Sequence, residues 1–189
     1  MSRVLNRLTS AQITIRKVQS AEEHAVKAVG KSDNFKALDE CHQQIHVHLQ
    51  SLAQLAQRLE SGDLSADDKL AAGAIEAFFS STAREHHAME EQHVFPPLLS
   101  KGNEELTAAI HALHQDHGFI EEDWIELGPQ LRAIADGNNW FDAAEFLHNT
   151  EVFLELCSGH IALEESWIYP ESKAQWAKAV ANRKPHPSR

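Results

Sequence analysis

Two short patterns in the chain place a carboxylate one helical turn after an imidazole: His86-x3-Glu90 and His160-x3-Glu164. On an α-helix, residues i and i+4 share one face about 6 Å apart along the axis. Each pair therefore aims a neutral nitrogen donor and an anionic oxygen donor at one spot. A further histidine precedes each pair, His42 before the first and His117 before the second. A buried carboxylate costs several kcal/mol unless it is paired or bound to a cation. Two of them facing each other in one core would repel, and two metal ions would remove that objection. Mixed imidazole and carboxylate donors suit iron or manganese, whereas thiolate-rich sites favour zinc. The predicted metal ligands are His42, His86, Glu90, His117, His160 and Glu164.

The same residues recur in an internal repeat. A shift of 75 carries Leu38-x3-His42-x2-Ile45 onto Leu113-x3-His117-x2-Ile120. A shift of 74 carries His86-x3-Glu90-Glu91-x2-Val94-Phe95-Pro96 onto His160-x3-Glu164-Glu165-x2-Ile168-Tyr169-Pro170. A shift of 72 would pair His42 with His114, but it sets Glu121 and Gly128 on the apolar seam. A lone histidine on an apolar seam is ordinarily a hydrogen-bonded core residue, and H-x3-E is common as a surface pair. Packing alone does not repeat four such histidines and two glutamates in the same order.

Long helices are needed to carry these residues. Ser20-Ala-Glu-Glu23 reads as a capping box that starts a short helix stopped by Gly30. Ser32 or Asp33 then opens a long helix ending at Gly62, and Ser65 opens a second running to Pro96-Pro97. Asn103 opens a third that reaches Gly137 with a kink at Gly128-Pro129, and Asn139 opens a fourth closed by Pro170. A short tail helix follows to about residue 182. In the first long helix Leu38, His42, Ile45, Leu49, Leu52, Ala56 and Leu59 alternate steps of four and three. Leu113, His117, Ile120, Trp124, Leu127, Leu131 and Ile134 do the same in the third. That alternation is a bundle seam, so the histidines face a core. The second and fourth helices carry the stripes Ile75, Phe79, Ala83, His86, Glu90, His93 and Phe153, Leu156, His160, Glu164, Trp167. The expected fold is all-α, an up-down-up-down four-helix bundle over residues 34–171. A basic N-terminal arm and short helix (1–33) precede it, and a basic C-terminal tail and helix (172–189) follow.

Composition narrows the function. All 28 acids lie between Glu22 and Glu171 with only 8 Lys/Arg among them, so the body is strongly acidic and repels phosphate. A nucleic-acid partner is excluded on that ground. No apolar run is long enough to cross a bilayer, and no export signal is visible at the N-terminus. With only two cysteines, a disulfide scaffold is not expected and a cytoplasmic location is.

With its His, H-x3-E, His, H-x3-E order at His42, His86/Glu90, His117 and His160/Glu164, the chain resembles the hemerythrin-like, or HHE cation-binding, domains. Phe95-Pro96 and Tyr169-Pro170 match that family's signature too. The resemblance implies a four-helix bundle around two non-haem iron ions, bridged by carboxylates and an oxo or hydroxo group; manganese and zinc are the alternative metals. It implies a module that binds or senses dioxygen, redox state or iron, with a small diatomic ligand, dioxygen or nitric oxide, as partner. Oxygen carriers of the family have a histidine where Glu121 stands and an aspartate where Glu165 stands, which argues against simple oxygen carriage. His46 or Glu121 could supply a further donor. Repair-type members, which handle nitric oxide and iron–sulfur damage, carry a cysteine in an N-terminal domain, and residues 1–33 have none. A ferritin-like oxidase needs E-x-x-H on two helices; Glu90-x-x-His93 fits but Glu164-x-x-Trp167 does not. The reading leans to a binding module over an enzyme.

Other residues read as bystanders. His93 is expected in a second core layer, His87, His48 and His111 in solvent, and His114 beside the ligand His117. Cys41 and Cys157 are expected as buried, inert thiols, and Tyr169 as a packing residue. Without metal, one of Glu90 and Glu164 is expected to hold its proton with a raised pKa, so stability is expected to fall from mildly acidic to neutral pH.

Overall fold

A computed structural model of the chain describes residues 10–62, 64–100 and 103–182, with side chains described from Phe35 onward. All regular structure among the described residues is helical. By compactness the chain divides into Met1–Leu38 and Asp39–Arg189. The described part of the first unit is the leading stretch of α1 (Ser10–Ser61), which ends in the second unit. The break expected at Gly30 does not occur, because a single glycine inside a helix costs only about 1 kcal/mol and does not by itself stop one. The basic residues of 1–9 and 183–189 lie outside the described residues. No described helix is long and apolar enough to cross a membrane.

Local chemistry places the remaining helices. Ser65 caps α2 (Ala66–Ser80) in a reciprocal box with Asp68, as its sequence predicts. Ser81 then breaks the helix before α3 (Thr82–Met89), its hydroxyl donating to the Ala77 carbonyl at 2.7 Å. The run Ser80-Ser81-Thr82 offers the backbone competing side-chain bonds, which explains a break that apolar spacing did not signal. Asn103 caps α5 (Glu104–Asp136), accepting from the Leu106 N–H at 2.8 Å. This helix runs through Pro129 and ends at Gly137 in the left-handed region, φ 74°. There the Asn138 N–H returns to the Ala133 carbonyl at 2.8 Å. The cap of α6 (Ala143–Leu163) is Asp142, not Asn139. Asp142 accepts from the Glu145 N–H at 3.0 Å, and Phe141 packs on Phe146 at 6.0 Å between ring centroids. That hydrophobic staple across the cap is what selects the later start.

Neither Pro96 nor Pro170 closes a helix. Each follows a π turn, Glu90–Val94 and Glu164–Ile168, after which α4 (Phe95–Leu99) and α7 (Tyr169–Ala181) continue. A proline ring would collide with the carbonyl four residues back in an α-helix, and a widened turn moves that carbonyl aside. The i→i+5 closure also inserts one residue per turn, so the inward face arrives later. Val94 and Ile168 are buried where His93 and Trp167 were expected, and those two are exposed. In α6 Cys157 takes the core position expected for Leu156.

The core is shared by α1, α2, α3, α5 and α6 and holds Ile45, Leu49, Ile75, Ile120, Leu127 and Phe146 among others. Phe79, Trp124 and Phe153 sit within it as a mutual cluster with centroids 5.1 to 5.3 Å apart. Trp124 Nε1 donates to the Ser80 hydroxyl at 3.0 Å, so its one polar atom is satisfied.

Candidate metal centre

The six predicted ligands converge in the interior. His42 comes from α1, His86 from α3, His117 from α5 and His160 from α6, while Glu90 and Glu164 each open a π turn. None is more than 5% exposed, and both glutamates are fully buried. Glu90 has its two oxygens turned to different histidines. Oε1 lies 3.4 Å from His86 Nε2 and 4.0 Å from His42 Nε2, and Oε2 lies 3.5 Å from His117 Nε2. Glu164 Oε2 stands between His42 Nε2 at 3.2 Å and His160 Nε2 at 3.3 Å. Two overlapping donor groups result: His42, His86, Glu90 and Glu164 in one, and His87, Glu90, His117 and His160 in the other. Within each group the donor atoms lie within 4.8 Å of one another.

Around this interior set stands a ring of carboxylates. Glu165 Oε1 accepts from His42 Nδ1 at 3.2 Å and from His46 Nε2 at 3.2 Å. Glu91 Oε1 accepts from His117 Nδ1 at 2.8 Å, and its other oxygen is 3.7 Å from His114 Nε2. Asp116 Oδ2 lies 3.7 Å from His160 Nδ1. A carboxylate on the outer ring nitrogen fixes the tautomer that leaves Nε2 free as a donor atom. The Tyr169 hydroxyl donates to Glu90 Oε1, and its ring stacks on His42 at 4.7 Å.

The profile of the hemerythrin HHE cation binding domain matches residues 33–172. The chain belongs to that family. Comparison with curated proteins and with solved structures gave no match. Whether this HHE domain's own residues fit a cation is answered by its buried polar atoms. His42 Nε2, both nitrogens of His86 and His160, His117 Nε2, Glu90 Oε2 and both oxygens of Glu164 have no hydrogen-bond partner. Buried polar groups are paired in the great majority of cases, so this concentration in one place marks a candidate donor set for a cation. The nitrogen and carboxylate donors fit a metal such as iron.

Electrostatics in the HHE domain agree. Burial pushes the His86 imidazole down to about 4 and the His160 imidazole down to about 3, and lowers His42 and His87 as well. These rings are held neutral, the form that binds metal. His117 is raised: burial works against its charge, but the nearby Glu90 carboxylate and its hydrogen bond to Glu91 prevail. Burial and then the charge of Glu90 raise Glu164 well above the usual carboxylate range. Burial would raise Glu90 too, yet His117, His86 and the Tyr169 hydroxyl outweigh it and hold Glu90 below that range. Of the two carboxylates, Glu164 is the one whose proton is held.

Several bystanders are placed differently from expectation. His87 is partly buried, stacked on His117 at 4.1 Å, and belongs to the second donor group. His48 is half-buried against Phe78 at 4.3 Å. Glu121 is not a donor: it is partly exposed and held by Arg84 at 2.7 and 2.9 Å. Tyr169 does more than pack, since its hydroxyl serves Glu90. Cys41 and Cys157 are buried free thiols, with burial pushing Cys41 up to about 11 and Cys157 higher still.

Proposed function

We propose that the domain binds two iron ions and uses them to bind or sense dioxygen or a related diatomic, such as nitric oxide. His42, His86, Glu90, His117, His160 and Glu164 would hold the pair, with carboxylates and an oxo or hydroxo group between the metals. The observation that carries this is Glu90. Its two oxygens face different histidine sets, which is the disposition of a carboxylate that spans two cations. In this reading the four core-forming segments make an up-down-up-down bundle in a cytoplasmic protein. Bound iron supplies a redox-active Lewis acid. The protein's part is to keep most of the imidazoles neutral, hold Glu90 and Glu164 in place, and cover His42 and His117 with the rings of Tyr169 and Phe95. A cavity of about 340 Å³ lined by His42, Glu165, Tyr169, Asp39 and Lys173 offers a small ligand an approach from the His42 side.

Metal analysis of freshly purified protein beside its absorption spectrum tests the reading. Two irons per chain with near-ultraviolet absorption, bleached by anaerobic reduction and restored by air, are expected. A colourless protein that holds only zinc would replace this reading with a structural metal bundle.

A further inference from the structure

We infer that the cavity between α5 and the start of α6 is a binding site for a guanidinium group, presented by a partner's arginine side chain or by a small alkylguanidinium ion. The cavity encloses about 320 Å³, and no lysine, arginine or histidine lines it among the described residues. One part of its wall is apolar, with Trp140 and Ile125 each 63% exposed beside Pro129. The other part is anionic, with exposed carboxylates from Glu126, Asp142 and Glu145. Local packing does not account for Trp140. The turn into α6 is secured by Phe141 on Phe146 and by the Asp142 cap, which leaves the neighbouring indole in water.

Gln130 is the observation that points to a ligand. It lines the cavity and is only 7% exposed. Its Nε2 donates to the Glu126 carbonyl at 3.2 Å, and its Oε1 is buried with no hydrogen-bond partner. A carbonyl can only accept, so the orientation of the amide is fixed and the oxygen is the atom left over. Pro129 has no N–H, so the Ile125 carbonyl also lacks the donor four residues on that a helix normally gives it. The cavity therefore combines surplus acceptors, negative charge and an exposed indole. A guanidinium answers all three: it is a planar, donor-only cation whose N–H groups form a fixed fork, and it stacks on an indole face. An ammonium is a more strongly hydrated point charge and answers only the negative charge. The N-terminus of α6 adds about half a positive charge nearby, which the carboxylates of Glu126, Asp142 and Glu145 outweigh.

The test titrates butylguanidinium into the isotope-labelled full chain and follows the indole N–H signals by NMR. The Trp140 signal is assigned by its loss in Trp140→Phe. It should move and saturate, half-way at about 10 mM or below, while those of Trp124, Trp167 and Trp176 stay in place. Gln130→Leu, Glu126→Gln and Glu145→Gln should each weaken binding about three-fold or more, and Glu85→Gln, exposed on α3, should not. Thermal melts check folding, and the two exposed glutamate variants keep the test decisive if the buried Gln130→Leu is unstable. Butylammonium should bind about five-fold or more weakly than butylguanidinium, and equal binding would overturn guanidinium recognition. An end-blocked Gly-Gly-Arg-Gly-Gly peptide separates the two sources. Binding no weaker than that of butylguanidinium assigns the site to a partner's arginine, and weaker binding assigns it to a free small cation. A Trp140 signal that does not move, or that moves equally in the glutamate variants, would overturn the site.

Discussion

Tyr169 and Phe95 occupy equivalent places in the repeat, and one hydroxyl separates their roles. Both rings lie nearly parallel to a histidine, Tyr169 on His42 at 4.7 Å and Phe95 on His117 at 5.7 Å. Only Tyr169 donates to a carboxylate, at Glu90 Oε1. Tyr169→Phe should keep the packing and strand that oxygen, destabilising the metal-free protein by about 1–3 kcal/mol in urea melts. With metal bound the cation satisfies the carboxylate, so the loss should shrink; an equal loss in both forms would place the hydroxyl's role elsewhere. His86→Ala and His160→Ala should each sharply reduce bound iron, because each removes a buried nitrogen and frees the neighbouring glutamate. Full iron content in either variant would contradict its place in the ligand set. The repeat made the burial and convergence of the six residues readable from the chain, since each had a counterpart to vouch for it. His87 and the Tyr169 hydroxyl were not readable that way, because their counterparts, Ile161 and Phe95, carry no polar atom. Glu121 misled for the opposite reason. Position relative to His117 pointed it inward, and only the structure shows Arg84 holding it outward.

At the scale of elements, the two π turns are what the centre depends on. Each begins at a buried glutamate and ends before a proline, so the widened turn both presents the carboxylate and absorbs the missing N–H. Apolar spacing read in steps of three and four could not anticipate this, because it assumes a constant pitch. It therefore placed His93 and Trp167 inside and overlooked Val94 and Ile168. Where the pitch is constant the same rule worked: every seam residue from Leu113 to Ile134 in α5 is buried. Two glycines of α5 make an opposed pair for testing local backbone terms. Gly118, beside a ligand histidine, has open space where a Cβ would stand, so Gly118→Ala should stabilise by about 0.5–1 kcal/mol. Gly137 ends the helix at φ 74°, and a Cβ there would also meet the Lys69 tip at 2.9 Å, so Gly137→Ala should destabilise by about 1 kcal/mol or more. Thermal or urea melts of the two variants should move in opposite directions, and a shift of the same sign would show that the cap geometry is not what ends α5.

For the molecule as a whole, the centre dictates how stability without metal follows pH. Glu164, raised by burial, favours the fold at low pH, and that help is lost as pH rises through its folded value. Taken alone it gives the fall from mildly acidic to neutral pH expected from the two buried carboxylates. The imidazoles reverse that sign. His42, His86, His87 and His160 are all lowered, so between about pH 4 and 6.5 the unfolded chain takes up protons there that the folded chain refuses. Their contribution is fully present above 6.5 and is lost as pH falls. For a shift as large as that of His86, to about 4, the loss is roughly 3 kcal/mol. Four lowered imidazoles oppose one raised carboxylate in that window, and His117, being raised, stays protonated in both states there and contributes little. Above neutral pH the lowered imidazoles are uncharged in both states, and Glu164 and His117 then set a gentle decline. Stability of the metal-free protein should therefore rise from pH 5 to about 6.5, peak near neutrality and fall slowly beyond. Urea melts of chelator-stripped protein across that range check it, with His86→Phe as a variant whose acid-side slope should be shallower. Stability that falls steadily from pH 5 to 7 would mean that Glu164 outweighs the imidazoles, and that the rings are more open to water than their burial indicates.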